Sequence, residues 1–161
     1  MFSIKIARLA HLMDISEDQL AIDWTLTEQD IHFISQNSRG QENRICFAAE
    51  LCMIRAYHRF LDRNERIPLK ATNYLSQQLD YVPLFAPINF SLKSDTYIGR
   101  QKIIGYLEFW ELDEVKKVAL QQWLETKIRS QVYDRKLLTY EARNYLKSRQ
   151  IILPAPTVLG R

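Results

Sequence analysis

Residues 43–61 read NRICFAAELCMIRAYHRFL, and the fold turns on this stretch. It is apolar for nearly its whole length, lacks Pro and Gly, and still carries three arginines. At 3.6 residues per turn, Arg44, Arg55 and Arg59 fall on one narrow stripe. Ile45, Phe47, Ala49, Cys52, Ile54, Ala56 and Phe60 fill most of the remaining surface. A helix apolar nearly all round is the central, buried helix of a bundle. Arg55 and Arg59 stand at i,i+4, where like charges repel. Something anionic should therefore lie against the stripe, either an acidic neighbour in the fold or a phosphate.

The flanking sequence predicts more helices. Residues 3–13 form an amphipathic first helix, and 14–23 an acidic connection with one helical turn. Thr27 is placed as an N-cap, with Glu28, Gln29 and Asp30 in a first turn where carboxylates suit the helix dipole. That helix runs to about residue 36, and Asn37, Ser38, Arg39 and Gly40 turn the chain. Pro68 suits the first turn of a helix reaching about residue 79. Pro83 and Pro87 make 81–93 extended, a connection between two halves. Three further helices are expected over about 94–110, 113–131 and 135–149. Ile151, Ile152 and Leu153 make a short strand or an extended clamp. The fold class is all-α, with helical subdomains over 1–80 and 94–161.

A chain of 161 residues is long enough to bury a core, and four Gly and five Pro favour long regular elements. The net charge of +3 is unevenly spread. Residues 1–90 hold nine Lys and Arg against eleven Asp and Glu, net −2. Residues 91–161 hold thirteen against eight, net +5, which points to an anionic partner for the second half. Cys46 and Cys52 match no metal-ligand spacing and read as buried apolar side chains in a reducing compartment. No apolar run can span a membrane and no signal peptide is recognisable, so a cytoplasmic protein is expected.

The residues offer no catalytic constellation. His11, His32 and His58 lie on separate elements without metal-binding spacing, and no Gly-rich loop follows a strand. No metal, cofactor or enzymatic activity is expected. The last helix carries more. Lys136, Tyr140, Arg143 and Lys147 stand at i, i+4, i+7 and i+11 on one face, and Leu138, Ala142, Tyr145 and Leu146 occupy the other. One side is built to pack; the other suits DNA phosphates and a groove. The two preceding helices add Lys93, Arg100, Lys102, Lys116, Lys117, Lys127 and Arg129. Three helices with short joints are compatible with a helix-turn-helix-like unit.

Five motifs occur in order: TLTEQD at 25–30, NRICFAAELCMIRAYHRFL at 43–61, ERIPLKATNYLSQQLDY at 65–81, IIGYLEF at 103–109 and RQIILPAPTVLGR at 149–161. As a set they resemble the N-terminal region of the large transposases of the Tn-three family of replicative bacterial transposons. That family's pattern has an NR-x-G-FA-x-QLC-x-LR-like helix, a YLARQL-like helix, an EIRAYLGF-like segment and an RRxIxLP-like close. The resemblance covers residues 8–161. Three positions depart from it: Ile104 stands for a basic residue, and Glu108 and Cys46 stand for glycines.

The resemblance implies a helical region that binds terminal inverted repeats, with the catalytic acidic residues and their metal far downstream in a longer chain. On it, the expected partner is double-stranded DNA, with self-association through a full-length transposase. The expected DNA-binding residues are Arg44, Arg55, Arg59, Lys93, Arg100, Lys102, Lys136, Tyr140, Arg143 and Lys147. The alternative is a protein–protein interaction module whose basic faces dock acidic surfaces.

Overall fold

The structure, a computed structural model, describes residues 15–61, 65–84, 86, 88, 96–130 and 134–154. The helix expected over 3–13, the Ser94 cap, Lys93 and most of the 81–93 connection lie outside these residues. The described residues form seven helices and no sheet, so the fold is all-α. The helices are α1 (Glu17–Asp23), α2 (Glu28–Asn37), α3 (Gln41–Tyr57), α4 (Leu69–Gln78), α5 (Thr96–Leu107), α6 (Glu114–Ser130) and α7 (Arg135–Ser148). They divide into two compact units: Met1–Tyr57 with Leu61–Ile103, and His58–Phe60 with Ile104–Arg161.

In the first unit α3 is central and packs on α1, α2 and α4. Its residues from Ile45 to Ile54 are all buried, as its nearly continuous apolar surface requires. Trp24, Ile34 and Leu75 join that core from the neighbouring helices. Thr27 and Asp30 form a reciprocal capping box: the Thr27 hydroxyl accepts from the Asp30 N–H at 3.1 Å, and the Asp30 carboxylate from the Thr27 N–H at 2.8 Å. Ser16 caps α1, so the acidic connection expected over 14–23 is a seven-residue helix. Gly40, at φ +82°, makes the turn into α3.

Two amides of α4 fix backbone outside the helices. Gln78 donates to the Trp24 carbonyl at 2.9 Å and accepts from the Leu26 N–H at 2.7 Å. Asn73 accepts from the Leu84 N–H at 2.7 Å and donates to its carbonyl at 3.3 Å. Each side chain replaces a strand partner for backbone that would otherwise lack one.

In the second unit α6 packs on α7. Leu120, Ala142, Tyr145, Leu146, Ile151 and Leu153 are its core, with Leu112, Trp123 and Leu124 against them. Trp110 and Ile151 make an isolated parallel bridge: the Trp110 N–H donates to Gln150 O and the Ile152 N–H to Trp110 O, both at 2.9 Å. The Leu153 N–H donates to His58 O at 2.7 Å. Residues 151–153 are therefore the extended clamp.

Two helices stop short of their expected ends, for one reason. The central helix ends at Tyr57, not near residue 61, because His58 takes φ +57°. α5 ends at Leu107, not near 110, because Glu108 takes φ +56°. There the Phe109 N–H donates to Ile104 O at 3.0 Å and the Glu108 N–H to Gly105 O at 3.4 Å, a Schellman cap. Asp80 and Gln150 close α4 and α7 in the same way. None of these left-handed residues is a glycine, so the usual stop signal is missing from the sequence.

Candidate nucleic-acid interface

The expected basic residues fall into two groups. The first is engaged within the fold. Arg55 makes a two-pronged ion pair with Asp30, at 2.9 and 2.7 Å, and Asp30 is 1% exposed. The capping-box carboxylate is thus the anion that the arginine stripe calls for. Arg44 donates to Ser38 O at 3.2 Å and to the Tyr81 hydroxyl at 3.0 Å. Arg59 is buried and donates to Phe60 O at 3.1 Å. With α3 ending at Tyr57, Arg59 is off the helix, so the three-arginine stripe does not continue through it.

Arg100 is engaged most heavily. Its guanidinium donates to one Glu50 oxygen at 3.1 and 2.6 Å and to Leu61 O at 2.7 Å. The other Glu50 oxygen accepts from the Leu61 N–H at 3.1 Å. Together the pair brackets both polar groups of Leu61 and holds the chain beyond α3. Burial pushes the Glu50 carboxyl above its ordinary range, against the lowering effect of Arg100. Burial also pushes the Cys52 thiol up to about 12, and both cysteines are buried and unbridged.

The second group is open. Lys102, Lys136, Tyr140 and Lys147 are exposed and Arg143 is half-buried. On α7, Ala142, Tyr145 and Leu146 are buried and Leu138 is half-buried, so the division of faces read from the spacing holds in the structure. Asp134 anchors the start of the helix, accepting from the Leu137 N–H at 2.7 Å. Tyr140 is 60% exposed and shares its face, by helical spacing, with three cations. His58 packs edge-on against Phe109 at 5.0 Å, and burial, followed by the Lys147 charge, holds its imidazole below the ordinary pKa.

Sequence reasoning missed two things. One is the Glu50–Arg100 pair, whose only signal is an acid in the middle of a buried run. The other is a cluster in the second unit. Trp110 is 61% exposed, the Lys116 ammonium lies 5.5 Å from its ring centroid, and the Arg149 guanidinium lies 3.7 Å from that of Tyr145. The i,i+4 spacing of Tyr145 and Arg149 was its one legible sign. Among the described residues, no group of His, Cys, Asp and Glu could hold a metal ion, and no helix is long and apolar enough to cross a membrane.

No curated protein matches the chain. The profile of the Domain of unknown function (DUF4158) matches residues 3–161, and the chain belongs to that family.

Proposed function

We propose that the protein is the DNA-recognition region of a transposase and binds the terminal inverted repeats of a transposon. The observation that carries this reading is the α7 face. Lys136, Tyr140, Arg143 and Lys147 lie along one side of a helix whose other side is packed. Glu141, the one acid of α7, stands off that face by spacing. Such a helix can grip phosphates with its cations while the aromatic ring and Arg143 meet base edges in the major groove. Lys102 adds an open cation on α5. The five ordered motifs that resemble Tn-three transposases, and the basic second half, point the same way. Phosphate contacts position the protein; the sequence preference comes from the few groups reaching the bases.

In this reading Arg55 and Arg100 serve the fold, because each already satisfies a buried carboxylate. The chain then acts by binding, in the cytoplasm, while strand cleavage belongs to another part of a longer transposase, through which copies associate. Competition tests the recognition directly. A labelled duplex carrying the transposon end is bound and then challenged with unlabelled end or unrelated duplex. Displacement by the end at far lower concentration is expected, and equal displacement by both removes the claim of recognition.

A second reading has its own observation. α6 buries only Leu120 among its described side chains and exposes Val115, Val118 and Ile128. That surface favours a protein–protein module docking on a partner or on the remainder of a transposase.

A further inference from the structure

A cleft of about 430 Å3 opens within the second unit, lined by Trp110, Lys116, Ala119, Tyr145, Arg149 and Ile151. Its volume lies in the range of about 300–1,000 Å3 usual for small-ligand sites. It is distinct from the basic face. By helical spacing, Tyr145 and Arg149 stand on the side of α7 away from Lys136, Tyr140 and Lys147.

Its parts are specific. Trp110 exposes 61% of its surface, although its backbone is fixed on both sides by the bridge to 150–152. A large ring on a pinned backbone loses little freedom when a ligand covers it. The Arg149 guanidinium stands over Tyr145, 3.7 Å from the ring centroid, and among the described residues no carboxylate pairs with it. Lys116 stands over Trp110 and shares its charge with Asp113. No acid lines the cleft among the described residues, and Ile151 and Ala119 give it apolar wall.

This combination discriminates between ligands. A purely apolar partner would strip water from the Arg149 charge without replacing it. A phosphorylated peptide would use the cation but leave the indole without a partner. A nucleotide uses both, since a base stacks on aromatic or guanidinium planes and its phosphate takes the cation. We infer that the cleft takes one unpaired nucleotide of a DNA strand, its base stacked on Trp110 and its phosphate held by Arg149, with Lys116 at the rim. The inference rests on the DNA reading above only for the source of the strand; end recognition by α7 can fail while this site stands.

Fluorescence anisotropy with the full chain tests it. The probes are a labelled ten-nucleotide oligothymidylate and a labelled blunt duplex of unrelated sequence. Trp110→Ala should weaken single-strand binding by about tenfold, the loss of one stacked base, and Trp110→Phe should restore most of it. Arg149→Ala should weaken it severalfold and flatten its salt dependence. Affinity for the blunt duplex should change less than twofold in all three variants. Single-strand binding by Trp110→Ala equal to the parent's overturns the inference. So does an equal loss on both probes, which would mean that the cleft does not select an unpaired base. Displacement of the oligonucleotide by equimolar deoxyadenosine monophosphate also overturns it, since the site would then take free nucleotides. Should Trp110→Ala melt early, Trp110→Phe and Arg149→Ala still decide the matter.

Discussion

Among the described residues, four side chains sit in left-handed backbone where glycine is favoured, and two of them give direct tests. Glu108, at φ +56°, holds the Schellman cap of α5 at the position where the Tn-three pattern carries Gly. A β-carbon costs roughly 1–2 kcal/mol there, and glycine's extra unfolded freedom returns about half of that. Glu108→Gly should therefore stabilise the protein by about 0.5–1 kcal/mol in urea denaturation. His58 occupies the same backbone region, with its pKa held below the ordinary value of 6.5 by burial and by Lys147. A lowered folded pKa means that the unfolded chain binds the proton more readily. The contribution of His58 is then full above pH 6.5 and is lost as pH falls through the folded pKa. The thermal midpoint should fall between pH 7.5 and 5.5, and His58→Asn, which suits left-handed backbone, should flatten that fall.

Among the helices, α3 shows what its residues could and could not announce. Its burial follows from a run that is apolar on nearly every side, and the capping box ahead of it was legible from Thr27 and Asp30. Its end was not legible, because His58 rather than a glycine makes the turn. Nor was the fate of its arginines, since spacing shows that an anion is needed but not which one. Arg100 makes the distinction measurable. Its partner Glu50 has a side chain only 6% exposed, while that of Arg100 is 30% exposed. Removing the guanidinium strands a buried carboxylate and the Leu61 carbonyl. Arg100→Ala should cost about 2–3 kcal/mol of stability, less than a wholly buried pair would, as read from the urea midpoint. A near-neutral effect would return Arg100 to the open cations.

In the molecule as a whole, the division of labour follows charge and burial. The first unit engages Arg44, Arg55 and Arg100 within its fold and leaves Arg39 and Arg66 exposed; the second leaves most of its described cations open. The α7 face was legible because helical period alone separates Lys136, Tyr140, Arg143 and Lys147 from Ala142, Tyr145 and Leu146. The Trp110 cleft was not, because it is made by a bridge between residues 110 and 151, far apart in sequence. Two variants of α7 separate binding from folding. Leu146 is fully buried, so Leu146→Ala should cost about 2–4 kcal/mol of stability through a cavity.

The decisive measurement is a salt titration of duplex DNA binding by the parent and by Arg143→Ala, alongside their thermal melts. With about five phosphate contacts, the parent's log affinity should fall against log salt with a slope of roughly −4 to −5. Arg143→Ala should weaken binding by about 1 kcal/mol and lessen the slope by about one, with its melt nearly unchanged. An Arg143→Ala protein that binds with the parent's affinity and slope would contradict the account and leave α7 as scaffold alone.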